Sequence, residues 1–184
     1  DDVEVEDFYI TTADGNGVRV EGVGEINTNI KFSHGTIENC TKQGMLIGNT
    51  DGLSIFDVTS QDHTDATEGR GFDIVTCNNT VLSSLFAFSN ADYGIYVRSS
   101  SNGMSNNTII QNSIANGNGD EGIKIFRDTN DISTVSVSLN IAVENVGNYL
   151  EFCNVVDYLC FLNQTDDAIN YTGGSGIQDH NQVI

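Results

Sequence analysis

The chain has 184 residues, which is enough for one domain or a short array of repeats. Its 26 Asp and Glu residues against 7 Lys and Arg give a formal net charge of −19, so it lacks the basic surface that binds nucleic acid or an anionic membrane. No apolar run approaches the roughly 20 residues that cross a bilayer. No signal segment is recognisable at the N-terminus, so Asp1 is interpreted as a processed start or the start of an excised fragment.

This acidic composition favours a saline or calcium-containing extracellular setting, because salt screens the repulsion between like charges. An ordinary acidic protein explains the composition equally well. The four cysteines match no zinc-binding pattern. Cys153 and Cys160 are close enough in sequence to pair across one turn of chain, and two buried reduced thiols explain them equally.

A short phrase recurs along the chain after a first strand-like segment at residues 3–10. Each copy is a glycine followed by an apolar residue, a variable residue and a second apolar residue. The glycines are Gly17, Gly44, Gly71, Gly94 and Gly122, at steps of 27, 27, 23 and 28 residues. Because successive side chains of a strand point to opposite faces, the phrase predicts two inward positions around one outward position.

Each repeat contains further strand-like segments, joined by Asn- and Gly-rich turns, and helical patterns are absent. Two or three short strands in each repeat predict an all-β solenoid, a single-stranded parallel β-helix whose coils stack at the inter-strand spacing of ~4.8 Å. The two files of inward side chains are predicted to be Val18/Met45/Phe72/Ile95/Ile123 and Val20/Ile47/Ile74/Val97/Ile125.

We predict about six to seven coils over residues 1–172, followed by a Gly-rich C-terminal tail over residues 173–184. Asn39, Asn90, Asn116 and Asn118 recur before the glycines and are expected to form amide ladders at the corners. The glycine file is expected to mark a corner where φ is positive or where backbones approach closely.

These coils resemble the PbH1-type repeats of right-handed parallel β-helix proteins. The phrases at residues 37–41 (IENCT) and 94–97 (GIYV) are typical of the rungs of that superfamily. It includes pectate-lyase-like and alginate-lyase-like enzymes, mannuronan C5-epimerases, viral tailspikes and many surface proteins. The resemblance covers roughly residues 3–170 and implies the right-handed fold, but it does not select one activity.

An outward ridge on coils three to five is the predicted functional surface. Its residues are Asp73, Tyr96, Lys124, Arg70, Arg98 and Arg127. We predict that Arg70, Arg98 and Arg127 bind substrate, because Arg pairs with carboxylates, and that Tyr96 stacks on a sugar ring. The alternative is that these charges pair with neighbouring acids and only solvate the surface.

Lyase or epimerase chemistry on a uronate needs a cation for the carboxylate, a base for the C5 proton and an acid for the leaving oxygen. Arg98 or calcium is the candidate cation, Lys124 or His63 the candidate base, and Tyr96 the candidate acid. The mannuronan epimerases carry a Tyr-Gly-Phe-Asp-Pro-His pattern, and the sequence matches the middle of this pattern at residues 71–73. Asp73 is therefore a further candidate catalytic residue. The sequence departs from the pattern at Arg70 and at residues 74–75.

Three carboxylates precede the glycine strands of successive coils. Glu68, Asp92 and Asp120 would repel one another when stacked, unless a cation lies between them. Calcium takes several oxygen ligands in flexible geometry, so we predict a calcium site there. The alternative is that exposed acids tolerate one another in salt.

Two functions remain open at this stage. The first is an extracellular or virion-surface module, structural or receptor-binding, that contacts a polysaccharide or cell-surface glycan, in a self-assembling fibre or a longer parent chain. The second is a polysaccharide lyase or C5-epimerase that acts on an acidic polysaccharide.

Overall fold

The computed structural model describes residues 2–22, 25–100, 105–127, 132–147, 150–153, 156–161, 163–165, 170–172, 175–179 and 182–183. The described residues contain nineteen strands and no helix. The strands are β1 (Val3–Glu6), β2 (Tyr9–Thr11), β3 (Val18–Glu21), β4 (Asn27–Glu38), β5 (Met45–Gln61), β6 (Phe72–Asn78), β7 (Thr80–Phe88), β8 (Ile95–Arg98), β9 (Ser105–Gln111), β10 (Ile114–Asn116), β11 (Ile123–Phe126), β12 (Ile132–Ser138), β13 (Ile141–Val143), β14 (Leu150–Cys153), β15 (Val156–Phe161), β16 (Gln164–Thr165), β17 (Asn170–Thr172), β18 (Ser175–Asp179) and β19 (Gln182–Val183).

All strand pairs are parallel, and each strand pairs with the equivalent strand one turn earlier or later. One continuous file runs through Val18, Met45, Phe72, Ile95, Ile123 and Leu150. The predicted parallel solenoid is therefore confirmed. The file spans about five turns, slightly fewer than the six to seven coils predicted, because that number counted the terminal segments as whole coils. Strands β17–β19 pair in parallel with β14–β16.

The interior is filled by the two predicted inward files. From Met45 to Ile123 and from Ile47 to Ile125, every member of these files is fully buried. Val18 and Val20, on the first coil, are only partly buried. Because equivalent side chains stack coil upon coil, each apolar residue is covered by the same kind of residue above and below. One continuous hydrophobic core results.

Single residues with positive φ make the corners of the coils. Asn49 and Thr76 form a short file of this kind, and three longer corners repeat along the solenoid. Their files are Thr12/Asn39/Asp62/Ser89/Gly117/Glu144, Asp7/His34/Asp57/Ser84/Asn112/Leu139 and Asn29/Gly52/Asn79/Asn107/Thr134. Only Gly52 and Gly117 in these files are glycines. The predicted glycine file instead reflects close approach, since a Cβ added to Gly71 would lie 2.6 Å from the carbonyl oxygen of Gly94.

A column of buried amides follows one of these corners inside the solenoid. Asn90 Nδ2 donates to Asn118 Oδ1 over 3.0 Å, and Asn118 Nδ2 donates to Asn145 Oδ1 over 2.8 Å. The same oxygens accept from the backbone N–H of the preceding coil. The ladder is therefore confirmed for Asn90 and Asn118, whereas Asn39 lies on an exposed corner and Asn116 faces outward on β10.

His63 occupies the same interior column on an earlier coil. The backbone N–H of Cys40 donates to His63 Nδ1 over 3.2 Å, so the ring proton resides on Nε2. Nε2 lies 2.9 Å from Ser60 Oγ, which donates in turn to the carbonyl oxygen of Gly71 over 2.8 Å. His63 is 1% exposed, and its ring takes the place of an asparagine amide.

The cysteines described with side chains lie in the interior. Cys40, Cys77 and Cys160 are buried and are not in disulfides. Burial raises the pKa of the Cys77 thiol to about 11, which keeps it protonated at neutral pH. Across the described part of the chain, we find no helix of the length and apolarity that a membrane span requires.

Candidate functional site

Three outward files of side chains bring five of the six predicted ridge residues together, namely Arg70, Asp73, Tyr96, Arg98 and Lys124. The file just before the glycines contains Gln43, Arg70, Tyr93 and Glu121, and the file two residues after them contains Leu46, Asp73, Tyr96, Lys124 and Glu151. The third file contains Gly48, Val75, Arg98 and Phe126. Because parallel pairing stacks equivalent residues at ~4.8 Å, side chains that are 23–30 residues apart in sequence become neighbours.

Asp73 is the centre of the first half of the ridge, and it is completely buried. Arg98 Nε and Nη2 lie 2.9 and 3.1 Å from the two Asp73 oxygens, and Arg70 Nη1 lies 2.7 Å from Oδ2. Gln43 Nε2 completes the ring of donors at 3.4 Å. The prediction that this position points to solvent is wrong for Asp73, because Arg70 on the same coil and Arg98 on the next coil cover it.

Two tyrosines and a phenylalanine pack among these cations. The rings of Tyr93 and Tyr96 are 4.6 Å apart, and Phe126 lies 6.4 Å beyond Tyr96. Arg70 sits 5.4 and 5.0 Å from the centres of the two tyrosine rings. Burial raises the pKa of Tyr96 to about 12, so its hydroxyl stays protonated at neutral pH. Tyr96 is 8% exposed, whereas Tyr93 and Phe126 are half-buried.

Lys124 is the centre of the second half of the ridge. Its Nζ lies 3.2 Å from Glu121 Oε1 and 2.9 Å from Glu151 Oε2. Burial alone would lower the pKa of Lys124, but these carboxylates raise it, so the amine stays charged and is a poor general base. Burial, then the carboxyls of Glu151 and Asp120, raise the pKa of Glu121 to about 7.

The remaining predicted catalytic and binding residues are placed differently. His63 lies in the interior column, so the structure does not bring it to the ridge surface. Burial lowers its pKa to about 4. Arg127 directly follows β11 and is half-buried. Arg70 and Arg98 are brought together, by the shared carboxylate of Asp73.

Two of the three carboxylates predicted to bind calcium, those of Glu68 and Asp92, are paired with cations of the protein. Glu68 lies 2.6 Å from Lys42 Nζ, and Asp92 Oδ2 lies 2.7 Å from Arg70 Nε. In the described ranges, no group of three or more His, Cys, Asp and Glu side chains is arranged to hold a metal ion. Calcium binding at Glu68, Asp92 and Asp120 therefore stays a prediction, without geometric support.

Sequence reasoning missed Gln43, Tyr93, Glu121 and Glu151 as members of the ridge. Gln43, Tyr93 and Glu121 each stand directly before a glycine of the repeat, as Arg70 does. This shared position could have identified them as neighbours of Arg70 on the ridge. Glu151 had no such signal, because its repeat lacks the glycine phrase.

Strand register, interior files and corners define a parallel β-solenoid, and the sequence agrees with this architecture. Residues 1–142 match the family model of the right-handed β-helix region, so the chain belongs to that family. The predicted PbH1-type resemblance is confirmed.

Two solved structures are similar to the chain. A mutant of the periplasmic alginate epimerase AlgG matches with a TM-score of 0.66 and 10% identity, over 95% of this chain and 50% of that one. The A-module of the mannuronan C-5 epimerase AlgE4 from Azotobacter vinelandii matches with a TM-score of 0.42 and 12% identity, over 96% of this chain and 80% of that one. The chain thus spans about half the length of AlgG, and the likeness shows the fold alone. No curated protein sequence matches the chain.

Proposed function

We propose that the chain is a β-helix module of an extracellular or virion-surface protein, with a structural or receptor-binding role and with glycans as ligands of its ridge. The observation that carries this proposal is that Arg70, Arg98 and Lys124 are all paired with acidic side chains of the ridge itself. What the ridge offers to a ligand is then the set of partly exposed rings between the ion pairs. The extracellular location is supported by the acidic composition.

Charge balance on the ridge decides between ligand classes. Three cations face four carboxylates, those of Asp73, Asp92, Glu121 and Glu151, so no positive charge is left for an acidic polymer. Aromatic rings such as Tyr93 and Phe126 bury large apolar areas at little conformational cost, and they pack well on the C–H faces of sugar rings.

Glycan binding to the ridge is testable with substitutions taken from neighbouring coils. Tyr93→Gln copies Gln43 and Phe126→Val copies Val75, which hold the same file positions two coils earlier. We expect the wild type to be retained on an immobilised glycan panel, and the double variant to lose at least tenfold in affinity. Tyr9→Thr is the control and should bind normally, because it gives the first coil the residue that Thr36 provides at the same position one coil later. Absence of retention on every glycan would refute this role of the ridge.

A second candidate function is acid–base chemistry on an acidic polysaccharide. The specific observation in its favour is the carboxyl of Glu121, whose pKa of about 7 suits a general base and which lies beside Lys124 and Glu151. Similarity to AlgG supports the scaffold only.

The enzymatic alternative needs a product assay. The protein would be incubated with alginate and with pectate, with and without calcium. Absorbance of unsaturated uronate reports a lyase, and the uronate composition by NMR reports an epimerase. An enzyme should lose its activity on Glu121→Gln substitution, and unchanged polymers under all conditions would eliminate this function. Sedimentation of the same samples measures self-assembly.

A further inference from the structure

A second surface, away from the ridge, carries apolar side chains on outward positions. We call it the apolar strip, and it consists of Phe86, Phe88, Ile114, Ile141 and Val143. Phe86 pairs in register with Ile114 and then Ile141, so these three form one file along the solenoid axis. Phe88 and Val143 belong to the neighbouring file, and all five side chains are half-buried.

Polar but uncharged side chains continue both files. Thr59 precedes Phe86 in the first file, whereas Gln61 precedes Phe88 and Asn116 follows it in the second. None of the outward positions of this face, from the coil of Thr59 to that of Val143, carries a charge. Acidic residues, Asp62 and Glu144, occur at the adjacent corner. In a chain of net charge −19, this neutral face excludes acidic polymers and suits neutral ones.

The dimensions of the face select the shape of the ligand. β10 and β13 contribute three residues each, so the face is about 10 Å wide, and four coils make it about 14 Å long. The resulting ~140 Å² is far below the ~800 Å² that each partner buries in a stable protein interface. The strip is therefore too small for a stable interface with a second copy of this chain, whereas its width fits one extended polymer chain.

The chemistry of the strip matches a pyranose polymer. The rings of Phe86 and Phe88 are 6.2 Å apart and tilted by only 32°, so they present a nearly continuous aromatic surface. The side chains of Thr59 and Asn116 have no hydrogen-bond partner within the described residues, and their hydroxyl and amide groups are available to sugar hydroxyls. We propose that the apolar strip binds a neutral polysaccharide chain that runs along the solenoid axis, independently of the ridge.

The test is electrophoresis through gels that contain hydroxyethyl cellulose, galactomannan or alginate. The wild type should be retarded by a neutral polymer, with little dependence on salt. The double substitution Phe86→Thr and Phe88→Gln copies Thr59 and Gln61 of the preceding coil, which preserves the fold, and should weaken retardation at least tenfold. Phe56→Ser removes an aromatic ring that is 43% exposed elsewhere and copies Ser83, so it should leave retardation unchanged.

Several outcomes overturn the proposal. These are no retardation by either neutral polymer, equal retardation of the double variant, and retardation by alginate alone. A concentration-dependent dimer that the double variant abolishes would assign the strip to a second copy instead. The ridge variant Tyr93→Gln/Phe126→Val separates the two proposals. Its strip is intact, so it should still bind the neutral polymer even if the ridge binds no glycan.

Discussion

Replacement of His63 by asparagine should change how the stability of the protein depends on pH. Burial lowers the pKa of His63 from 6.5 to about 4 in the folded state. The unfolded chain therefore binds more protons than the folded one between these values, and stability is lost as the pH falls through this window. At 1.36 kcal/mol per pH unit, the loss is roughly 2 kcal/mol between pH 6.5 and 5 and about 3 kcal/mol by pH 4. His63→Asn removes this loss and inserts the amide that later coils carry at the same position.

Urea unfolding of both proteins between pH 7 and pH 4.5 measures the effect. All 26 acidic residues are present in both proteins, so the difference in unfolding free energy isolates His63. We expect this difference to shift in favour of the variant as the pH falls. His34→Asn is the control, because His34 is exposed and shares its corner file with Asn112. A wild-type-minus-variant difference that is flat with pH would show that His63 is not held neutral by the interior.

Three further predictions concern single positions. Glu121, with its pKa raised from 4.5 to about 7, should destabilise the fold as the pH rises through that window, and Glu121→Gln should remove this slope in the same unfolding series. Asn118→Ala should cost about 3 kcal/mol in urea unfolding, because it strands buried partners on both adjacent coils, and a loss below 1 kcal/mol would contradict the ladder. Leu139→Asn should stabilise the protein by about 1 kcal/mol, because asparagine adopts a positive φ at lower cost than leucine does. Val146→Asn is the control at an exposed site without a positive φ, and it should change the unfolding midpoint little.

The strand pattern was predictable because alternation is a local property of the chain. The glycine phrase places Phe72 and Ile74 inward whatever their neighbours are, and the structure confirms both files. Burial of Asp73 was not predictable in this way. Its position is outward by periodicity, and it is removed from water by side chains that fold over it: Arg70 from the same coil and Arg98 from the next one.

The corners show the second limit. Leu139 and His34 adopt positive φ because the coils above and below fix the direction of the chain, and that constraint outweighs the local preference for glycine or asparagine. The prediction of His63 as a base at the ridge surface was wrong for a similar reason. Its sequence neighbours are polar, but the residue sits just past a corner, where the chain returns inward.

The amide column also has a consequence for how such a chain can change its length. Each amide bonds to the amide and backbone groups of the coils one turn away, so a partial excision leaves a broken column, whereas a whole turn can be removed cleanly. Deleting residues 94–121 would join Tyr93 to Gly122, seat Phe72 on Ile123 and bring Asn90 opposite Asn145. The evolutionary unit of shortening or growth in this molecule is thus one full turn, 23 to 28 residues long.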